Sequence, residues 1–136
     1  MFFTYTITGG DFVNAGNASS EVKKILKQLS VNPKIIKRIV IALYEAEVNV
    51  VAHAYCGKVE VTVQAEYVVI EVKDEGPGIS DINQAMEEGF STASREIQEM
   101  GFGAGMGLTN IKKNVDEFSI DSTVRVGTNV YMKIFL

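Results

Sequence analysis

Residues 32–55, NPKIIKRIVIALYEAEVNVVAHAY, decide the fold. Asn32 followed by Pro33 is a helix start, with a capping side chain and then a ring that fits the first helical turn. The segment that follows is apolar nearly all round, through Ile35, Ile36, Ile39, Val40, Ile41, Leu43, Val48, Val50 and Val51. A helix without a broad polar face is buried between layers. The chain must therefore supply a second layer, and the helix is predicted to run to about Tyr55 and to end at Gly57.

The flanking sequence supplies that layer. Upstream, Phe3 to Thr8 alternates apolar and polar residues, as a half-buried strand does. Gly9, Gly10 and Gly16 surround a loop, and Ser19 or Ser20 is predicted to cap a helix reaching about Ser30, with Val22, Ile25, Leu26 and Leu29 on one stripe. Downstream, 58–66 and 67–74 read as two strands of a hairpin. From Glu75 to Gly107 the pattern breaks, in a stretch with seven glycines and one short helical segment near 81–88. A connection of that length inside a compact domain is usually functional. A helix over about 106–117 and strands over 118–125 and 128–136, turning at Gly127, complete the chain. The order β-α-α-β-β-loop-α-β-β predicts one domain over 1–136: a two-layer α/β sandwich with a mixed, mostly antiparallel sheet and helices on one face.

Composition narrows the function classes. Of 136 residues, 46% are hydrophobic and 22% charged, with a net charge of -4 and a pI near 5.0. Such a chain can bury a core and lacks the basic excess of a general nucleic-acid binder or a polybasic membrane anchor. No apolar run is long enough to span a bilayer. The single cysteine, Cys56, points to a reducing cytoplasm, and its Ala-Tyr-Cys-Gly setting reads as a helix exit.

Four groups of residues carry chemistry. Glu45 and Asn49 stand four apart on one helical face. A carboxylate and an amide in an apolar helix cost free energy unless something pairs with them. Magnesium on the Asn49 carbonyl oxygen would pair with one, and Glu45 could serve as a general base. Taken alone, the simpler reading is a solvated face beside Lys34 and Arg38. Asp74-Glu-Gly76-Pro-Gly78-Ile79 ends an apolar strand with a carboxylate that can accept from an exocyclic amine, while its glycines let a flat ring approach the backbone. Alone, it is a Gly-Pro-Gly turn. Gly101-Phe-Gly103-Ala-Gly105-Met106-Gly107-Leu108 alternates glycines up to a helix start, where free N–H groups suit phosphates. It is neither a Walker A loop nor a dinucleotide fingerprint. Gly127-Thr128 reads as a turn whose hydroxyl can join Asp74.

In order and spacing, these groups resemble the boxes of the GHKL (Bergerat-fold) ATPases, which include gyrase B subunits, histidine kinases and mismatch-repair ATPases. Glu45 to Asn49 is similar to the N box, Asp74 to Ile79 to the first glycine box, Gly101 to Leu108 to the second, and Gly127-Thr128 to the last. The wording around Glu45–Tyr55 and Gly105–Leu108 resembles the stand-alone anti-sigma-factor serine/threonine kinases and related switch kinases. The resemblance implies a protein kinase that uses ATP and Mg2+ to phosphorylate an anti-sigma-factor antagonist-type protein and so controls a sigma factor or similar partner. It implies a homodimer, while the acidic composition predicts no direct contact to nucleic acid or membrane. It makes Glu45 the general base, Asn49 the Mg2+ ligand and Asp74 the adenine reader beside Gly78 and Thr128. Residues from about Ser80 to Ala104 become the ATP lid. His53, eight residues after Glu45, reads as packing. The anti-sigma kinases often carry an arginine two residues before Gly-Met-Gly; Gly103 stands there, and Arg95 lies within the lid. A non-catalytic, nucleotide-gated binding module, or a slow ATPase, is the alternative.

Overall fold

The computed structural model describes residues 1–79, 82, 86 and 107–136. The predicted helical segment near 81–88 and most of the predicted lid lie outside the described residues. Five strands, β1 (Phe2–Thr8), β2 (Cys56–Val63), β3 (Tyr67–Glu75), β4 (Glu117–Thr123) and β5 (Gly127–Phe135), form one sheet in the order β1-β2-β3-β5-β4. Three helices, α1 (Asn17–Gln28), α2 (Pro33–His53) and α3 (Gly107–Asn114), complete the described elements. The predicted α/β sandwich is present, but every described strand pair is antiparallel rather than mixed. Short turns link β2 to β3 and β4 to β5, which requires antiparallel neighbours there.

Register sorts the side chains. Phe3, Val61, Ile70, Met132 and Phe118 form one row across the sheet, and Tyr5, Val59, Val72, Val130 and Ile120 the next. These rows belong to the core or pack against it, together with Ile39, Leu43 and Val50 of α2. Asp74 pairs with Gly57, which pairs with Ile7, so Asp74 lies on the same helix-facing side. The opposite side carries the row Thr4, Glu60, Glu71, Tyr131 and Ser119. There Lys73 bridges Glu60 and Glu71, each at 3.3 Å, and so offsets two like charges placed directly opposite.

Asn32 caps α2 as predicted, its Oδ1 accepting from the Lys34 amide at 2.9 Å. Two boundary expectations are corrected. The helix ends at His53, with Ala54 extended, and Cys56 opens β2 instead of closing the helix. Gly57 is therefore a strand residue: a Cβ there would stand 2.7 Å from a Val50 methyl, so glycine lets α2 lie close on the sheet. Nor does a serine cap α1. Its N-cap is Gly16, which offers no side chain. The orphan N–H groups of that first turn go to the carboxylate of Glu47 on α2. Glu47 accepts from the amides of Gly16 (2.9 Å), Ala18 (3.1 Å) and Ser19 (3.1 Å), and from the Ser19 hydroxyl (2.6 Å). At 2% exposure, Glu47 is a buried anion satisfied by a helix N-terminus, where the macrodipole favours negative charge.

Candidate functional site

Alternation along α2 assigns its polar residues to different tasks. Glu47 turns to α1, while Glu45 and Asn49, both half-buried, turn to α3. The two helices meet there in opposite order. Gly107, the first residue of α3, lies beside Asn49: a Cβ on it would stand 3.1 Å from both side-chain amide atoms. One turn on, Nδ2 of Asn110 donates to Oε1 of Glu45 at 3.3 Å. Further along, the Arg38 guanidinium donates to the Asn114 carbonyl at 3.1 Å and reaches Asp116 at 3.1 Å. Bonds from the Phe135 amide and Arg38 hold the Asp116 carboxyl below the usual carboxylate range.

The other end of the site lies where β3 leaves the sheet. Oδ1 of Asp74 accepts from the Thr128 amide at 3.0 Å. Burial pushes the Asp74 carboxyl above the ordinary carboxylate range, and the Thr128 bond opposes that shift. Gly127 must be small, because a Cβ would collide with the Asp74 backbone. Gly76 donates its amide to the Val126 carbonyl at 3.1 Å. Gly78 has a left-handed φ of 73° and sits against Thr123, where a side chain would clash; both constraints require glycine. The Ile79 amide donates to the Ser122 hydroxyl at 2.8 Å, and that hydroxyl lies 2.8 Å from Oγ1 of Thr128. Ser122 Oγ also bonds the Gly127 carbonyl at 3.2 Å. With its one proton on that carbonyl, it accepts from Ile79 and Thr128.

The structure thus brings Asp74, Gly76, Gly78, Ile79 and Thr128 into one cluster, and Glu45, Asn49 and Gly107 into another. The two join through the end of α2: the Tyr55 amide donates to the Glu75 carbonyl at 2.8 Å, and a Cβ on Gly76 would be 2.9 Å from the Ala54 Cα. Leu108 belongs to the core, so its side chain packs beneath the site. Gly101, Gly103, Gly105 and Met106 lie outside the described residues, as does Arg95. His53 is half-buried, and burial lowers its pKa, which favours a neutral packed ring. Sequence reasoning missed Ser122, Asn110 and Glu47. Ser122 left a trace: it continues the inward alternation of Phe118 and Ile120 with a hydroxyl. Glu47 left the trace of a carboxylate in an apolar helix but not the identity of its partner, and Asn110 left none, since the partners of both are remote in the chain.

A family model described as a histidine kinase-like ATPase domain matches residues 11–134. The chain is 34% identical over 128 residues to the anti-sigma F factor of Caldanaerobacter subterraneus subsp. tengcongensis, covering 90% of this chain and 86% of that one. It is 32% identical over 112 residues to the serine/threonine-protein kinase RsbT of Bacillus subtilis, covering 79% and 78%. Among solved structures, the RsbU and RsbW domains of Rv1364c from Mycobacterium tuberculosis align with a TM-score of 0.64 at 18% identity, over 97% of this chain and 32% of that one. The mycobacterial sensor histidine kinase MprB aligns with a TM-score of 0.56 at 15% identity, over 97% of its own length. Those two likenesses show a shared fold, and the matched model and the relatives show the family. With residues 11–134 matched and the sheet, glycine turns and paired helices arranged as described, this chain belongs to the histidine kinase-like ATPase domain family.

Proposed function

We propose that this chain is an ATP-dependent serine/threonine protein kinase that phosphorylates an anti-sigma-factor antagonist-type protein and thereby controls a sigma factor or similar partner. The names of its relatives support the reading, since one is an anti-sigma F factor and another a serine/threonine-protein kinase. The observation that carries it is the meeting of two clusters at the end of α2, with Glu45 and Asn49 on one side and Asp74 and Thr128 on the other. Asp74 accepts the adenine amine, and Thr128, Ser122 and the glycine backbone shape the surface on which the ring lies. Asn49 holds Mg2+ through its side-chain carbonyl. The fit is good there: Gly107 keeps a side chain away from that amide, and a neutral oxygen donor suits a hard cation. Among the described residues no group of three acidic, histidine or cysteine side chains could hold a metal ion by itself; Asn49 would hold the ion together with the phosphates of the nucleotide. The bound ion supplies neutralisation of phosphate charge. Glu45 takes the proton of the acceptor hydroxyl, and the chain otherwise contributes position and electrostatics, which is what phosphoryl transfer requires.

We extend the reading to one functional domain over 1–136, acting in the cytoplasm as a homodimer; among the described residues no helix is long and apolar enough to cross a membrane. Incubation with γ-labelled ATP, Mg2+ and an antagonist-type protein tests the kinase assignment. The expected product is labelled serine or threonine on the acceptor, lost in Glu45→Ala. ATP binding without label on any acceptor would leave a nucleotide-gated module in its place.

A further inference from the structure

We propose that Asn110 is a positioning residue for Glu45, a step that rests on reading Glu45 as the general base: its amide holds one carboxylate oxygen and leaves the other to receive the proton. A glutamate has three side-chain torsions, and a half-buried one with a single anchor on its backbone samples several carboxylate directions. General-base catalysis requires the acceptor oxygen to sit within hydrogen-bond reach of the hydroxyl it deprotonates, so a fixed direction is worth rate. The Asn110 amide supplies it, with Nδ2 at 3.3 Å from Oε1 of Glu45.

Three features make this contact more than a chance polar touch between helices. First, the chemistry is one-directional. An ionised carboxylate only accepts, so the amide nitrogen must face it, and a neutral donor orients Oε1 without adding a cation that would compete for the base. Second, the place of Asn110 is fixed by its neighbours. Gly107 lies against Asn49, and the Asn114 carbonyl is held by Arg38 at 3.1 Å. The contacts 49 with 107, 45 with 110 and 38 with 114 set both the rotation and the slide of α3 along α2. The Asn114 side chain adds a bond to the Asn110 carbonyl at 2.7 Å. Third, the helix that carries Asn110 follows the glycine-rich segment directly in sequence. The residue that aims the base is therefore three residues beyond Gly107, beside the magnesium ligand.

In the transfer step the hydroxyl O–H bond breaks and its proton passes to Oε2 of Glu45. The hydroxyl oxygen forms the new bond to the γ-phosphorus, and the bond from that phosphorus to the β–γ bridging oxygen breaks, releasing ADP. Oε1 stays bonded to Asn110 throughout. Replacing the amide by a carboxylate of the same shape removes the donor and sets two acceptors face to face.

Phosphate release from γ-labelled ATP by the full chain with Mg2+, water being the acceptor, tests this in N110A, N110D, E45Q and the double variants. N110A should lower kcat about tenfold, and N110D by more, a part of the roughly 10²–10⁴ that a positioned base contributes. KM for ATP should stay within about twofold, as neither change touches the nucleotide. In the E45Q background neither change should cost anything further, because residues acting as a unit are not additive. Wild-type kcat in N110D overturns the proposal, as does a loss that persists in the E45Q background, which would mark Asn110 as structural. An E45Q enzyme as fast as wild type instead removes the base role itself, and the proposal with it. Should N110D fail to fold, N110A and N110S carry the same comparison.

Discussion

On the proposed reading, Asn49 and Asp74 are the residues on which nucleotide recognition turns, and their substitutions fail in different ways. Asn49→Ala deletes an oxygen ligand without opening the core, since the side chain is only half-buried. Titration calorimetry should show Mg2+-dependent ATP affinity reduced at least tenfold, about 1.4 kcal/mol, with melting unchanged; an unaltered affinity would exclude Asn49 as a ligand. Asp74→Asn keeps an oxygen for the Thr128 amide but replaces an acceptor with a donor where the adenine amine is to bind. ATP affinity and discrimination against GTP should both fall. Because burial raises the Asp74 carboxyl above its value of 3.8, ionisation costs more in the folded chain than in the unfolded one. Stability from this group is fully present below 3.8 and is lost as pH rises through the raised folded value. Asp74→Asn removes that cost, so the variant should melt no lower than wild type at neutral pH while binding ATP less well. A lower melting temperature together with intact discrimination would show that Asp74 serves the fold. ATP affinity in the wild type should weaken as pH falls through the raised value, as the carboxylate that accepts the adenine amine is protonated.

At the scale of elements, the decisive link is between α1 and α2. Glu47→Ala would leave three backbone amides and a hydroxyl without their acceptor, most of them buried. Hydrogen bonds to a charged group are worth about 1.5–3 kcal/mol each in favourable cases, and they do not sum, so the loss should be on the order of 3 kcal/mol by urea denaturation. Glu47→Gln should cost less, since one oxygen remains. An effect within about 0.5 kcal/mol for the alanine variant would mean that water replaces the carboxylate. This link also marks the limit of what the chain's local pattern reveals. The strands, the buried α2 and the Asn32-Pro33 start follow from periodicity and capping, both local properties. The start of α1 does not, because its cap arrives from residue 47, and the expected serine cap gave way to that stronger tertiary acceptor. Glu45, Asn49 and Asp74 stood out as polar residues in apolar settings, and the resemblance to the ATPase boxes, not their pattern alone, gave them proposed roles. Asn110 did not stand out, since an asparagine on a short helix reads as solvent-facing until its neighbour across the helix pair is known.

For the whole molecule, one sheet face is covered by helices and the other is a polar surface of Thr4, Glu60, Lys73 and Tyr131 side chains. At the edge of the sheet stands β1, with Met1 63% and Phe2 59% exposed. An edge strand with apolar side chains at its start is a place where chains associate, in keeping with the proposed homodimer. Sedimentation velocity should find a two-chain species at micromolar concentration, and Phe2→Lys should shift it toward the monomer. A monomer throughout would remove the proposed homodimer, and β1 as its contact, without touching the proposed nucleotide site, which lies at the far end of α2.

The base-reading cluster is assembled from opposite regions of the chain: Asp74 comes from the middle strand, whereas Ser122 and Thr128 arrive on the last hairpin. During synthesis, Asn49 and Asp74, the proposed magnesium ligand and adenine acceptor, emerge well before Ser122 and Thr128, which bond around Asp74. On that reading, ATP binding that needs the Thr128–Asp74 contact cannot precede the docking of the last hairpin. Occupancy by nucleotide would then report a finished sheet.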